Sequence, residues 1–251
     1  MATIRLMEQG KGAVDRIANN GEVEKYLEGQ KLTQGQREAI ALAATTTDQF
    51  IAWQGKAGAG KTYALNEFRE IAQKQGYTVK GYAPSASSAK VLADEVGIET
   101  TTVARKLVSQ PLEEEAIQQQ IWIVDEAGLL GAKNALTLLE RATAENARVL
   151  LVGDTRQFSS VEAGNPFKSL QQAGITTAYL NQSLRQKTQD LKQAVEHLSS
   201  GEIQQGVGIL EANHRIEEIQ EFEQRTNRIV QDYLNLSPSE REQNSCSSRN
   251  Q

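Results

Sequence analysis

Cysteine is almost missing from this 251-residue sequence, where Cys246 stands alone. A single thiol excludes a disulfide framework and any metal site built from several thiolates. Histidine is nearly as scarce: His197 and His214 are too few and too separated for a three-histidine metal centre. No stretch approaches the roughly 18 consecutive apolar residues of a membrane-crossing helix, and the opening MATIRLMEQGKG has no signal-peptide core. Aromatics are sparse at 5%, and neither charge sign dominates, with 27 Lys+Arg against 32 Asp+Glu for a net charge of −5. That balance argues against attachment to nucleic acid by bulk charge and leaves room only for a local basic groove. What remains, 39% hydrophobic and 24% charged, predicts a soluble, cytosolic, globular protein. The length fits one large domain or one domain with a smaller appendage.

Charge and pattern divide the chain. Residues 1–185 carry 20 basic and 21 acidic side chains, whereas residues 186–251 carry 7 and 11. Apolar residues at helical spacing between Ile4 and Gln30, interrupted by Gly10, Gly12 and Gly21, predict two short helices. Thr33 is a plausible N-cap for a third, QGQREAIALAAT. From Phe50 onward, short apolar runs alternate with amphipathic stretches: FIAWQG, YTVKGYAP, QIWIVDEAG, RVLLVGD and ITTAYL read as strands, with helices between the first four. Strands alternating with helices at this spacing imply a parallel sheet with right-handed crossovers. Beyond Arg185 the pattern predicts helices, a strand at HRIEEI and a polar, disordered end, SPSEREQNSCSSRNQ.

Three strand ends carry chemistry. Gly55-Lys56-Ala57-Gly58-Ala59-Gly60-Lys61-Thr62 fits G-x-x-x-x-G-K-[ST] without a mismatch, between a strand and a helix as the motif requires. Backbone amides at Gly55, Ala57, Gly58, Ala59 and Gly60 are placed to curl around phosphate oxygens. Lys61 is placed to reach the β/γ-phosphates of ATP, and Thr62 to give a hydroxyl to Mg²⁺. Asp125-Glu126 closes the strand IWIVDEAG. Beside a P-loop, that position lets Asp125 hold the metal and Glu126 polarise the attacking water. Gly153-Asp154-Thr155-Arg156-Gln157 ends the next strand, and Gln157 is its candidate γ-phosphate sensor.

In that order, the motifs resemble the first motor lobe of a superfamily 1 helicase of the RecD-like branch. The likeness is greatest to the helicase portion of TraI-type (MobF) conjugative relaxases. Leu32 to Gln36 resembles the adenine-reading glutamine motif, GKAGAGKT motif I, APSASSAKVL motif Ia and IWIVDEAGLLG motif II. VLLVGDTRQFSSVEAGNPF resembles motif III, and LNQSLRQ the junction motif whose arginine, here Arg185, approaches the γ-phosphate. The upstream MEQGKGAVDRIANNGEVEKYL also resembles the segment before the motor, so the likeness covers most of residues 5–236. It implies a RecA-like α/β fold, ATP and Mg²⁺ as cofactors, and ATP-driven movement along single-stranded DNA. It also implies that Gln36 reads adenine and that Pro84, Ser85, Ser87 and Thr102 face DNA. Ser85, Ser87, Ser88 and Lys90 are placed to contact DNA phosphates at a helix start, and from the residues alone they fit a capped, solvated helix face equally well.

Two departures limit this. Nothing in the sequence resembles a second RecA-like lobe, and the histidine count excludes a relaxase nicking domain. The chain therefore looks like a fragment or reduced relative of a larger enzyme, with a second lobe or larger relaxase-helicase polypeptide as partner. The expected division is a helical lead-in over 1–30 and a RecA-like P-loop lobe over 31–185. A mostly helical approach to the second lobe follows over 186–236, then a tail over 237–251. Two other functions stand beside the helicase motor: a nucleotide-binding module with little turnover, and another P-loop ATPase such as a PhoH-like protein. Trp53 and Trp122, both in apolar strand runs, are assigned to the core rather than to base stacking.

Overall fold

A computed structural model describes residues 2–56, 58–110, 119–156, 164–180, 188–238 and 241. Two compact units divide the chain at Arg185. In the first, β1 (Phe50–Gly55), β2 (Thr78–Ala83), β3 (Glu99–Thr102), β4 (Gln120–Val124), β5 (Ala147–Gly153) and β6 (Thr176–Leu180) form one sheet. Its order is β3-β2-β4-β5-β1-β6, and every pairing is parallel.

The central strands β1, β4 and β5 are buried nearly throughout because helices cover both faces. Alternate residues of β1 point opposite ways. Ile51 and Trp53 join a core under α2 (Asn20–Leu27), α3 (Gln34–Thr45), α4 (Lys61–Lys74) and α5 (Ala86–Val96). Phe50 and Ala52 join another under α1 (Ala2–Gln9), α6 (Val103–Val108), α7 (Ala132–Ala144) and α8 (Pro166–Gln172). Trp53 and Trp122 are fully buried and meet Phe68 and Tyr82 edge-on, with ring centroids 5.9 and 5.3 Å apart. Both tryptophans are core residues.

The two lead-in helices form, and they pack as part of this unit: Met7, Ile17, Val23 and Leu27 are buried in its two cores. Backbone bonds hold the intervening segment to the end of α3 and the turn after it, from Ile17 N to Ala44 O at 2.9 Å and from Val14 N to Thr47 O at 3.0 Å. The buried guanidinium of Arg148 adds donors to the carbonyls of Ala43, Thr46 and Asp15. A cation there is stabilised by the negative end of α3.

The second unit holds α9 (Gln189–Ser199), α10 (Ile203–Ala212) and α11 (Phe222–Asn235). HRIEEI, expected as a strand, is not one: residues 215–220 are irregular and pair with no other strand. Its two isoleucines, Ile216 and Ile219, stand three residues apart and so do not share one strand face, and Arg215 Nε meets Asp190 of α9 at 3.1 Å. His197 lies beside Glu202 at 2.5 Å on the surface.

Candidate nucleotide site

The P-loop leaves β1 at Gly55 and enters α4 at Lys61. Its turn needs left-handed backbone at Gly58 (φ 77°) and Gly60 (φ 69°), which glycine adopts without a Cβ penalty. Gly60 is also the N-cap of α4 and supplies no side-chain cap to it, and the start of a helix favours anionic groups. The Lys61 ammonium lies in the loop's own concavity, donating to Gly55 O at 2.7 Å. Ala57 lies outside the described residues.

Gln36 is buried against this turn. Its Oε1 accepts from Thr33 N at 2.8 Å and its Nε2 donates to Gly60 O at 3.0 Å. With the Thr33 hydroxyl accepting from Gln36 N, this completes a capping box that also braces the P-loop. In this arrangement both ends of the amide are engaged by the protein.

Asp125 and Glu126 follow β4, two strands from β1 across β5. Asp125 N extends the ladder to Tyr82 O at 2.9 Å, so the carboxylate is held at the strand's tip. Burial pushes the Asp125 carboxyl above the usual range, while the Glu126 amide and the Lys61 ammonium pull it back. Glu126 takes a positive φ of 50°, uncommon for a residue with a Cβ, and starts the short 3-10 turn Ala127–Leu129. The Ser88 hydroxyl on α5 donates to its carboxylate.

The end of β5 is stitched to β1. Asp154 Oδ1 accepts from Gln54 Nε2 at 2.9 Å and Arg156 N at 3.0 Å, while Gln54 Oε1 accepts from Thr155 N at 3.2 Å. The loops after β4 and β5 approach so closely that a Cβ on Gly153 would lie 3.1 Å from Gly128 N. Gln157 and Arg185 lie outside the described residues.

The four expected DNA-facing residues gather at the carboxyl ends of β2 and β3, where Ala83 pairs with Thr102. Pro84 follows β2, and Ser85 caps α5 by accepting from Ser88 N at 3.1 Å. Ser87 is exposed. Thr102 caps α6, accepting from Arg105 N at 3.2 Å. Two site neighbours escaped the sequence reading. Glu95 accepts the Thr62 hydroxyl at 2.9 Å, and its backbone carbonyl accepts from Asn66 Nδ2 at 2.9 Å. Ser88, noted only as a possible DNA contact, reaches Glu126 instead. Seven residues apart, Ser88 and Glu95 share one face of α5, and that spacing is the signal that could have paired them.

Lys61, Thr62, Asp125, Glu126 and Asp154 follow the carboxyl ends of parallel strands, where open α/β folds bind ligands. A family model described as an AAA domain matches residues 31–221. The conjugal transfer protein TraA of Rhizobium radiobacter is 30% identical over 188 residues, which are 74% of this chain and 17% of TraA. The ATP-dependent RecD2 DNA helicase of Deinococcus radiodurans is 32% identical over 173 residues, 66% of this chain and 24% of that protein. The multifunctional conjugation protein TraI of Escherichia coli K12 is 23% identical over 73% of this chain and 11% of its own length. Among solved structures, the Pif1 helicase of Candida albicans matches 68% of this chain and 44% of its own, at 17% identity and a TM-score of 0.49. The chain thus spans less than a quarter of the length of these curated relatives. Among the described residues, no helix is long and apolar enough to cross a membrane. The chain belongs to the AAA domain family, as a P-loop motor domain related to those of TraA, TraI and RecD2.

Proposed function

We propose that this chain binds and hydrolyses Mg-ATP as the first motor lobe of a DNA helicase of the conjugative relaxase-helicase kind. The observation that carries the reading is the convergence of Lys61, Thr62, Asp125 and Glu126 at the ends of β1 and β4. The residues fit ATP and Mg²⁺. The start of α4, at the end of the glycine-rich turn, favours anionic phosphate oxygens, and Asp125 is a carboxylate whose burial is costly without a nearby cation. Lys61 would bind the β/γ-phosphates, and Thr62 and Asp125 would hold the metal. Mg²⁺ supplies charge neutralisation across the phosphates. Glu126 would take the proton of the attacking water.

By resemblance, Gln157 senses the γ-phosphate, Gln36 approaches the adenine, and Arg185 adds a forked donor to the charge that spreads in the transition state. Pro84, Ser85, Ser87 and Thr102 would contact single-stranded DNA. The chain's small share of its relatives favours a second reading beside the first: ATP binds, but turnover waits for a second RecA-like lobe. ATP hydrolysis measured with and without oligo(dT), with and without a second lobe in trans, tests both. Hydrolysis that responds to neither addition would refute the motor reading.

A further inference from the structure

The Thr62 hydroxyl has one proton, and that proton is committed. It crosses to α5, where the Glu95 carboxylate accepts it at 2.9 Å. A carboxylate can only accept, so the direction of the bond is fixed and the lone pairs of the Thr62 oxygen stay open. Glu95 is held there by its backbone. Asn66 Nδ2, one turn along α4 from Thr62, donates to Glu95 O at 2.9 Å and to Thr62 O at 3.2 Å. Arg69 Nη1, nearly a turn further along, donates to Val96 O. Both acceptors belong to the last turn of α5, whose carbonyls have no partner within the helix. In this way α4 straps the end of α5 and sets the Glu95 side chain beside Thr62.

Helix energetics alone disfavour a carboxylate at this position. Asp94 and Glu95 place two acids and no base in the last turn of α5, at the negative end of its dipole. A local rule broken beside a site is expected to serve that site. From this geometry we infer that Glu95 is a positioning residue for the metal side of the nucleotide site: by holding the Thr62 proton it keeps the hydroxyl oxygen open to ligate the cation, and so couples nucleotide binding to Mg²⁺. The inference rests on the reading of this loop as a Mg-nucleotide site, and adds to it a residue outside both the P-loop and the Asp125-Glu126 pair. A hydroxyl whose proton is held by a carboxylate is a better electron-pair donor, because hydrogen bonds in a chain polarise one another. Partners one bond removed from a metal are worth about 10–100-fold in metal affinity. The Thr62–Glu95 bond is solvent-exposed, which places the expectation at the lower end.

ADP binding to the full chain, followed by calorimetry with Mg²⁺ and again with EDTA, tests this without turnover. Mg²⁺ should tighten ADP binding in the parent. Glu95→Ala should cut that gain about tenfold and leave the metal-free affinity unchanged. Glu95→Gln, whose amide oxygen still accepts the Thr62 proton, should keep most of the gain. Asn66 and Arg69 hold backbone carbonyls, so both variants retain the strap. Thr62→Ala should also lose the gain, and adding Glu95→Ala to it should cost nothing further, because Glu95 acts only through Thr62. An unchanged gain in Glu95→Ala would overturn the proposal, as would a further loss in the double variant. A loss in Glu95→Gln as large as in Glu95→Ala would mean that charge acts rather than the hydrogen bond, and would overturn it too. In each of these cases a parent whose ADP binding is tightened by Mg²⁺ keeps the nucleotide site. A parent that binds no ADP, or binds it equally in EDTA, would refute the nucleotide-site reading together with the proposal.

Discussion

The two units of this chain use apolar residues in opposite ways. In the unit ending at Arg185, alternating residues of every central strand are buried on both faces of the sheet, and Ile51, Trp53, Ile121 and Trp122 have no exposed surface. In the unit after it, α11 is amphipathic yet has no buried residue, with Phe222 72% and Ile229 67% exposed. Helical periodicity in a sequence therefore predicts a helix and an apolar stripe, but not that the stripe is covered. The first unit is organised as a scaffold that fixes side chains at the ends of its strands; among the described residues, the second presents surface.

The widest contrast should appear in stability. Trp122→Ala removes a fully buried ring and should cost about 3–5 kcal/mol. Ile229→Ala on α11 should change stability by about 0.5 kcal/mol or less. Denaturant melts of both variants check this, and a comparable loss from Ile229→Ala would show that α11 is packed in solution.

Chemistry should follow the same division. Glu126→Gln keeps shape but cannot accept the proton, so any hydrolysis should fall about a hundredfold while Mg-ATP affinity holds. Parent-like turnover in that variant would remove Glu126 from the role of base.

A smaller effect is expected with pH. Burial pushes the Glu145 carboxyl up, but Lys106 at 2.8 Å and Arg141 more than offset it and hold the group below its ordinary value. A depressed folded pKa gives stability that is present above the unfolded value and lost as pH falls through the folded one. The parent's melting temperature should exceed that of Glu145→Gln near neutral pH, with the gap closing below about pH 4.3. Burial lowers the Lys106 pKa, and a lysine titrates on the alkaline side, so it adds nothing to this acid window. A gap that stays constant from pH 7 to pH 3 would show that the Glu145 cluster contributes no acid-sensitive stability.

The smallest effect should come from removing the second unit. A chain ending at Arg185 keeps β1, β4 and the P-loop and should bind Mg-ATP within about twofold of the full chain, less than a third of the free energy of a tenfold change. Loss of binding would place part of the nucleotide site in the second unit.

What could be read from the sequence follows from what was buried. FIAWQG, QIWIVDEAG and RVLLVGD are strands covered on both faces, so their apolar runs announce them. The edge strand β3 is ETTT, short and polar, and carries no such signal; α6 has only six residues. That the P-loop segment and the Asp125-Glu126 pair follow strand ends was legible because each sits directly after its own apolar run. The links from Gln36 to Gly60, Gln54 to Asp154 and Ser88 to Glu126 span 24, 100 and 38 residues, so only the fold brings them together. HRIEEI was misread because two isoleucines three residues apart do not make one apolar strand face, and among the described residues no strand pairs with it.

The account turns on the strand ends of the first unit being a nucleotide site. Calorimetric titration of the full chain and of Lys61→Ala with Mg-ATP tests this most directly. The account predicts one site per chain in the parent and at least about a tenfold weaker affinity in the variant, since the lysine's charge balances the phosphates. Equal affinity in the two proteins, or no heat of binding in the parent, would contradict it.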